Sequence, residues 1–167
     1  MHSTIITGDH VNLRKTVPSD LAYVVKVEQA ADNAKYILQN SPEEHLAMIN
    51  HRDVLHLIIE DKDMKPVGYM ILKGVHHKFQ NLEIMRIAVS DKQKGYGKEA
   101  MSLAKQVAFG QMKVHRLWLD VHEDNRPAQR LYESLGFRYE GTLRDVVKFD
   151  DQYASMRIYS ILATELS

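Results

Sequence analysis

The chain of 167 residues contains no cysteine. That excludes disulfides, thiolate metal sites and a cysteine nucleophile. Neither charge is in excess, since 22 Lys and Arg face 22 Asp and Glu. Non-specific binding to nucleic acid therefore has no electrostatic drive, and any phosphate site has to be local. No apolar run approaches the ~18 residues of a membrane span. The opening "MHSTIITGDHVNLRK" lacks the apolar core of a secretory leader. Proline is scarce, at four residues, and no repeat or low-complexity linker interrupts the chain. These absences leave one domain over 1–167, expected in the cytoplasm, with neither nucleic acid nor membrane as partner. Nine histidines are present, but none falls in an H-E-x-x-H pattern, so no metal is expected.

What is present suits a globular fold: 44% of residues are hydrophobic and 26% charged. "HVNLRKT" (10–16) alternates like a strand. "PSDLAYVVKVEQA" has helical spacing, with Ser19 or Asp20 available as cap. "SPEEHLAMIN" starts a second helix, with Ser41 as N-cap, Pro42 in the first turn and Glu44 closing a capping box. Strands follow at 54–61, 66–74 and 82–90, then an amphipathic helix over 98–112, a strand at 115–122 and a helix at 126–136. Two long strands end the chain, with Asp150-Asp151 at the turn between them. Helices mixed with hairpins predict a mixed sheet, and the strand–helix–strand unit 82–122 predicts one right-handed parallel crossover.

Between strand 82–90 and the helix after it lies "SDKQKGYGKEAM". Glycines there allow a phosphate close to backbone N–H groups at a helix start. A Walker A loop is ruled out, because Gly97-Lys98 is followed by Glu99 and no glycine lies five residues before Gly97. The dinucleotide fingerprint G-x-G-x-x-G/A does match at Gly95, Gly97 and Ala100, with Asp120 about 20 residues on. Against it, "SDKQK" separates the first glycine from its strand, and no βα pattern after Asp120 completes a doubly wound sheet. A third pattern, [RQ]-x-x-G-x-[GA], fits Lys92 to Gly97 with Lys92 in place of Arg or Gln. A solvated turn capping a helix is the plain alternative to all three.

A second motif is more specific. Asn125, Ala128, Leu131, Tyr132, Leu135, Gly136 and Phe137 fit N-x-x-A-x-x-L-Y-x-x-L-G-F. Together with the glycine loop, at this spacing, the chain resembles the GNAT superfamily of N-acetyltransferases over roughly residues 8–165. The closing "YEGTLRD" resembles the branch related to ribosomal-protein alanine N-acetyltransferases. The resemblance implies an α/β (α+β) GNAT fold: a mixed, mostly antiparallel sheet of about seven strands and about four helices. Its central parallel pair, strands 82–90 and 115–122, would splay apart to admit CoA.

The resemblance also implies acetyl-CoA as co-substrate and a primary amine as acceptor, either a small molecule or a protein or peptide α-amine, which attacks the thioester directly. The N–H groups of Gln93, Lys94, Gly95, Tyr96, Gly97 and Lys98 would take the pyrophosphate, and the backbone near Ile87 and Val89 the pantetheine. Asn125, which reads by itself as a helix cap, would also hold the pantetheine or order the site. Tyr132 would be the general acid; without the resemblance it reads as a core tyrosine. A thiol near pKa ~8.5 and a tyrosine near ~10 are close enough for that transfer. Asp120 is the first candidate base and Glu83 the second; otherwise each is a carboxylate at a strand end.

Other features carry two readings. Glu28, Asp32, Glu43 and Glu44 form either a solvated helix face or an acidic acceptor site for polyamines. The stripe Tyr139, Tyr153, Met156 and Tyr159 is core, acceptor-pocket lining or the interface of a homodimer. A non-catalytic acyl-CoA-binding domain of the same fold, or a dinucleotide-dependent enzyme, are the rival functions.

Overall fold

A computed structural model describes residues 3–166. Eight strands form one sheet: β1 Thr4–Thr7, β2 Val11–Lys15, β3 Val54–Asp61, β4 Pro66–Lys73, β5 Asn81–Val89, β6 Arg116–His122, β7 Arg138–Phe149 and β8 Gln152–Leu162. Their spatial order is β1-β2-β3-β4-β5-β6-β8-β7. Every neighbouring pair is antiparallel except β5 and β6. A sheet with one parallel pair gives the dinucleotide reading no doubly wound frame to rest on. β1, absent from the sequence reading, is short and half-exposed, so it has little apolar pattern to read.

The helices are α1 Leu21–Gln29, α2 Ala31–Ala34, α3 Pro42–Ile49, α4 Tyr96–Lys105 and α5 Arg126–Ser134. α4 continues as a wider turn over Gln106–Gln111, closed by Met112 N–H on Val107 O at 2.9 Å. α4 and α5 cover one face of the sheet, packing Met101, Ala104 and Tyr132 on Leu57, Met70 and Leu119. α1 covers the other face, where Val24 and Val27 pack on Ile58 and Ile71. The central strands β3 and β4 are therefore buried on both sides, which is why they read as nearly continuous apolar runs.

Local signals largely hold. Ser41 Oγ accepts from Glu44 N–H and Glu44 Oε1 from Ser41 N–H, the reciprocal box expected of that stretch. Gly136 follows α5 with φ 93° and ends it. The start of α1 differs. Asp20 precedes the helix without capping it; instead Oδ2 accepts from Val17 N–H at 2.8 Å and both oxygens take the guanidinium of Arg14. A buried ion pair outbids a helix end for this carboxylate.

Candidate active site

β5 and β6 pair only at Asn81–Arg116, Leu82–Leu117 and Glu83–Trp118. Both strands continue, to Val89 and His122, without pairing to each other. The cause lies in β5. Its register against β4 slips between Ile84 and Arg86, leaving Met85 as a bulge. Before the bulge, Leu82 and Ile84 face the larger core; after it Ile87 and Val89 do, while Ala88 turns to the smaller one. The strand thus changes faces and bends away from β6.

The opened edge is polar. Ser90 N–H bonds Val67 O at 2.8 Å, which fixes the alternation of the β4–β5 ladder. By that alternation the main-chain groups of Arg86 and Ala88 face β4, and those of Ile87 and Val89 face the gap. Asn33 Nδ2 donates to Val89 O there, at 3.4 Å.

A cavity of about 220 Å³ lies at the divergence. It brings together Glu83, Ile87, Asp120, Asn125 and Tyr132, five of the residues named from sequence. Tyr132 sits on α5, buried, with its ring tilted against Phe137 and Tyr159. Its hydroxyl has no hydrogen-bond partner among the described residues. Asn125 Oδ1 accepts from Ala128 N–H at 3.4 Å, so it does cap α5. Gln129, buried one turn into that helix, donates to His122 O and Glu123 O and fixes the turn that presents Asn125.

Electrostatics couple these groups. Burial pushes the Asp120 carboxyl above its usual range, against the pull of the nearby Arg86 guanidinium. Burial also raises Glu83, and the charge of Asp120 raises it further. Two carboxyls raised in one cavity are suited to accepting a proton near neutral pH. Burial first, then the charge of Asp120, pushes the Tyr132 hydroxyl up to about 12. The easy match between a tyrosine near ~10 and a thiol near ~8.5 is therefore corrected: the gap widens while Asp120 is charged.

The glycine loop follows the open end of β5. Gln93 (φ 66°) and Gly95 (φ 76°) are both left-handed, and Gly95 precedes the first turn of α4. A Cβ on Gly97 would meet only Val89 Cγ2, at 3.7 Å, an ordinary contact. Packing within the protein does not require glycine there. Lys92 is tied to Asn33 (2.5 Å) and Asp32 (3.5 Å), and Lys94 lies 3.8 Å from Asp91. Tyr96 packs partly against the larger core. Lys98 is on the first turn of α4.

Several residues of this region escaped the sequence reading. Arg86 lines the cavity, as do Tyr36, Leu38, His122 and Phe149. The His122 ring lies tilted against Tyr36 (5.4 Å) and edge-on to Phe149 (5.2 Å), and the three form a collar at the cavity's outer side. Of the acidic residues Glu28, Asp32, Glu43 and Glu44, Glu28 is 0% exposed and hydrogen-bonded through both oxygens, so the solvated-face reading fails for it. Asp32 pairs with Lys92 and Glu44 closes the capping box. Of the aromatic stripe, Tyr159 is core and Met156 lines the cavity, whereas Tyr139 and Tyr153 are exposed.

The acetyltransferase (GNAT) family model matches residues 24–137, more than half the chain. The chain belongs to that family. It is an N-acetyltransferase, and the family's acyl donor is acetyl-CoA. Among curated relatives, a spermidine N(1)-acetyltransferase of Escherichia coli K12 is 27% identical over 153 residues, covering 86% of this chain and 81% of the relative. A Bacillus licheniformis protein described as an uncharacterized N-acetyltransferase, p20, is 31% identical over 43% of this chain and 40% of its own. In fold, the chain is similar to the Vibrio cholerae spermidine N-acetyltransferase crystallised with CoA and spermine: TM-score 0.83 and 21% identity, covering 93% and 96% of the two chains. A GNAT-family acetyltransferase from Bacillus anthracis superposes with TM-score 0.81 at 22% identity, covering 99% and 100%. These relatives are spermidine enzymes where function is named, rather than members of the ribosomal-protein branch suggested by "YEGTLRD".

Proposed function

We propose that this N-acetyltransferase acts on a polyamine, and that the reaction takes place at the opening between β5 and β6. The observation that carries the reading is the convergence there of a polar strand edge, two raised carboxyls and an unpartnered tyrosine hydroxyl. The pyrophosphate of acetyl-CoA would meet the N–H groups of Gln93 to Lys98, at the start of α4, where orphan donors and the helix dipole favour an anion. The side-chain-free approach at Gly97 suits this. Lys98 and Lys94 are the cations nearest in sequence for the CoA phosphates. The exposed backbone of Ile87 and Val89 would hold the pantetheine and present an N–H to the thioester oxygen.

An amine arrives mostly protonated at neutral pH, since its pKa is near ~10. Asp120 takes that proton, with Glu83 beside it as second acceptor. Neutralising Asp120 removes one of the two causes that hold the Tyr132 proton so tightly. Amine deprotonation and proton donation to the departing thiolate are thereby coupled through one carboxyl. The amine nitrogen forms the new amide bond as the carbon–sulfur bond breaks.

For the acceptor, the named relatives favour polyamines over the α-amine of a protein. The outer cavity supports this. It adjoins the inner one through Tyr36, His122 and Phe149 and carries Glu123, Asp124, Asp150 and Asp151 on its rim. A second ammonium group would find carboxylates and ring faces there. Thiol release with spermidine, spermine, putrescine and an N-terminal alanine peptide tests the reading. Turnover is expected with the polyamines; turnover with the peptide alone would overturn the acceptor. Acetyl-CoA binding with no thiol release from any amine would favour a non-catalytic acyl-CoA-binding domain.

A further inference from the structure

Glu28 lies on α1, away from the reacting groups, and is 0% exposed. Its two oxygens serve different parts of the molecule. Oε2 receives His45 Nε2 from α3 at 2.8 Å, the Tyr69 hydroxyl from β4 at 2.5 Å and Arg86 Nη1 from β5 at 2.9 Å. Oε1 receives Asn40 N–H at 2.8 Å. Two of these contacts bear on the cavity. Arg86 lines it beside Asp120. Asn40 ends the stretch that carries Tyr36, Ile37 and Leu38, which form the facing wall. The start of that stretch is held by Asn33, whose Nδ2 donates to Val27 O and Val89 O. Among the described residues, the backbone between Ala34 and Asn40 is held only by hydrogen bonds to Asn33 O, from Lys35, Tyr36 and Ile37 N–H.

We infer that Glu28 is a positioning residue for acetyl transfer: its carboxylate holds Arg86 against the reaction cavity and, through Asn40, holds the opposite wall in place. The inference rests on the acetyl-transfer reading of this cavity, and it extends that reading to a residue that touches neither substrate nor cofactor. Charge is part of the device. Burial works against an ionised Glu28, yet the hydrogen bonds from His45, Asn40 N–H and Tyr69 outweigh it and hold the carboxyl below its usual range. An ionised Glu28 partly offsets Arg86, and Arg86 is the cation that pulls on Asp120. The groups that face Asp120 are Glu83 and Arg86 on β5, Tyr132 on α5 and His122 on its own strand.

The geometry makes Glu28→Gln informative. Three donors converge on Oε2, so a carboxamide must place its oxygen there, and its NH2 then opposes Asn40 N–H. The wall segment loses its anchor while the buried trio survives. Losing that one hydrogen bond predicts a KM for the amine raised about tenfold, with the Kd for acetyl-CoA unchanged within about twofold. Arg86, no longer offset, pulls harder on Asp120, so the acid limb of kcat/KM moves to lower pH. Arg86→Gln removes the cation and moves that limb to higher pH. The carboxyl of Asp120, followed by 13C NMR and assigned with Asp120→Asn, should shift in the same two directions without any turnover. A Glu28→Gln protein that only melts earlier, with amine KM and acid limb as in the wild type, overturns the inference. If Glu28→Gln does not fold, an Asp120 titration unmoved in Arg86→Gln overturns it equally. A wild type that turns over no amine strikes the functional reading instead, and the NMR titration then decides the fate of Glu28.

Discussion

Two arginines are buried in this molecule, and they are used differently. Arg14, on β2, is 2% exposed. It gives Nε to Glu60 (2.9 Å), Nη1 and Nη2 to the two oxygens of Asp20 (2.9 and 3.0 Å), and Nη1 also to Lys15 O (3.2 Å). Burial opposes its charge, but two carboxylates outweigh that and raise its pKa. Arg86, on β5, is 9% exposed and gives Nη1 to Glu28 and to the Tyr69 hydroxyl. Arg14 has all three nitrogens engaged by its partners and lines no part of the reaction cavity. Arg86 keeps donors unspent and faces Asp120. A saturated cation fixes a fold; one with spare donors beside a cavity sets the potential in which chemistry occurs.

The largest effect should come from breaking the saturated cluster. Arg14→Met leaves Asp20 and Glu60 buried without their cation and should cost about 3–5 kcal/mol of unfolding free energy, read by urea denaturation. kcat per folded molecule should stay at the wild-type value. A fall in kcat with the fold intact would erase the distinction between the two arginines.

The comparison also marks what the sequence could show. Strands β3 to β6, the capping box at Ser41 and the helix at Asn125 were legible because period, cap and turn chemistry agree locally. Asn125 and Tyr132 are named by the motif, and Asp120 and Glu83 by their places at strand ends; the structure gathers all four in one cavity. The splay was legible only through the resemblance, since its local cause, the bulge at Met85, has no glycine or proline to announce it. Arg86 did leave a signal: a lone charge in the apolar run "EIMRIAV" has to find a buried partner or a cavity. That partner, Glu28, is 58 residues away in a stretch whose pattern suits a solvated helix face or an acidic acceptor site, not a buried ion pair. β1 and the collar of Tyr36, His122 and Phe149 depend on tertiary placement alone.

Next in size is the loss of the proposed acid. Tyr132→Phe should lower kcat about 100-fold, the lower range for general acid catalysis, with acetyl-CoA affinity kept. The hydroxyl has no partner to abandon, so stability should hold, in contrast to Arg14→Met. Because burial and Asp120 push this hydroxyl up to about 12, no basic limb from Tyr132 should appear in the wild-type profile below about pH 10. Wild-type turnover in the phenylalanine variant would return Tyr132 to the core.

A smaller loss is expected from Asp120→Asn, about tenfold in kcat/KM at pH 7, because Glu83 remains as a second acceptor. The loss should deepen as pH falls. Stability should move the other way. A carboxyl whose pKa is raised by folding contributes most when protonated, below the usual range near ~3.9, and loses that contribution as pH rises through the raised value. At pH 7 the ionised Asp120 is therefore a cost that asparagine removes. Asp120→Asn should melt higher than the wild type at pH 7, and the gap should close in acid. A lower melting temperature at pH 7 would place Asp120 with the structural carboxylates of the Arg14 cluster.

The smallest effect tests how far the functional cluster extends. Glu28 is the end of a buried chain. His45 Nε2–H donates to the carboxylate at 2.8 Å, His45 Nδ1 and His56 Nε2 share one hydrogen at 3.1 Å, and His56 Nδ1 meets the Thr16 hydroxyl at 2.8 Å. Burial first, and then the neighbouring His45, push His56 down to about 4, so it stays neutral through the working range. A histidine depressed by folding contributes stability that is complete above its unfolded value near ~6.5 and is lost as pH falls toward the folded one. Thr16→Val leaves Nδ1 without its partner and should cost about 1 kcal/mol at pH 7. The Thr16 hydroxyl can turn to accept from the imidazolium and valine cannot, so the folded pKa of His56 is pushed further below the unfolded value. The variant therefore loses more on acidification, and its deficit against the wild type should widen as pH falls below about 5 in paired urea titrations. kcat should not change, because Arg86 and Asn40 keep their hold on Glu28. A deficit that closes in acid would cut Thr16 out of the chain. A fall in kcat would extend the functional cluster from the reaction cavity to Thr16, just past the end of β2.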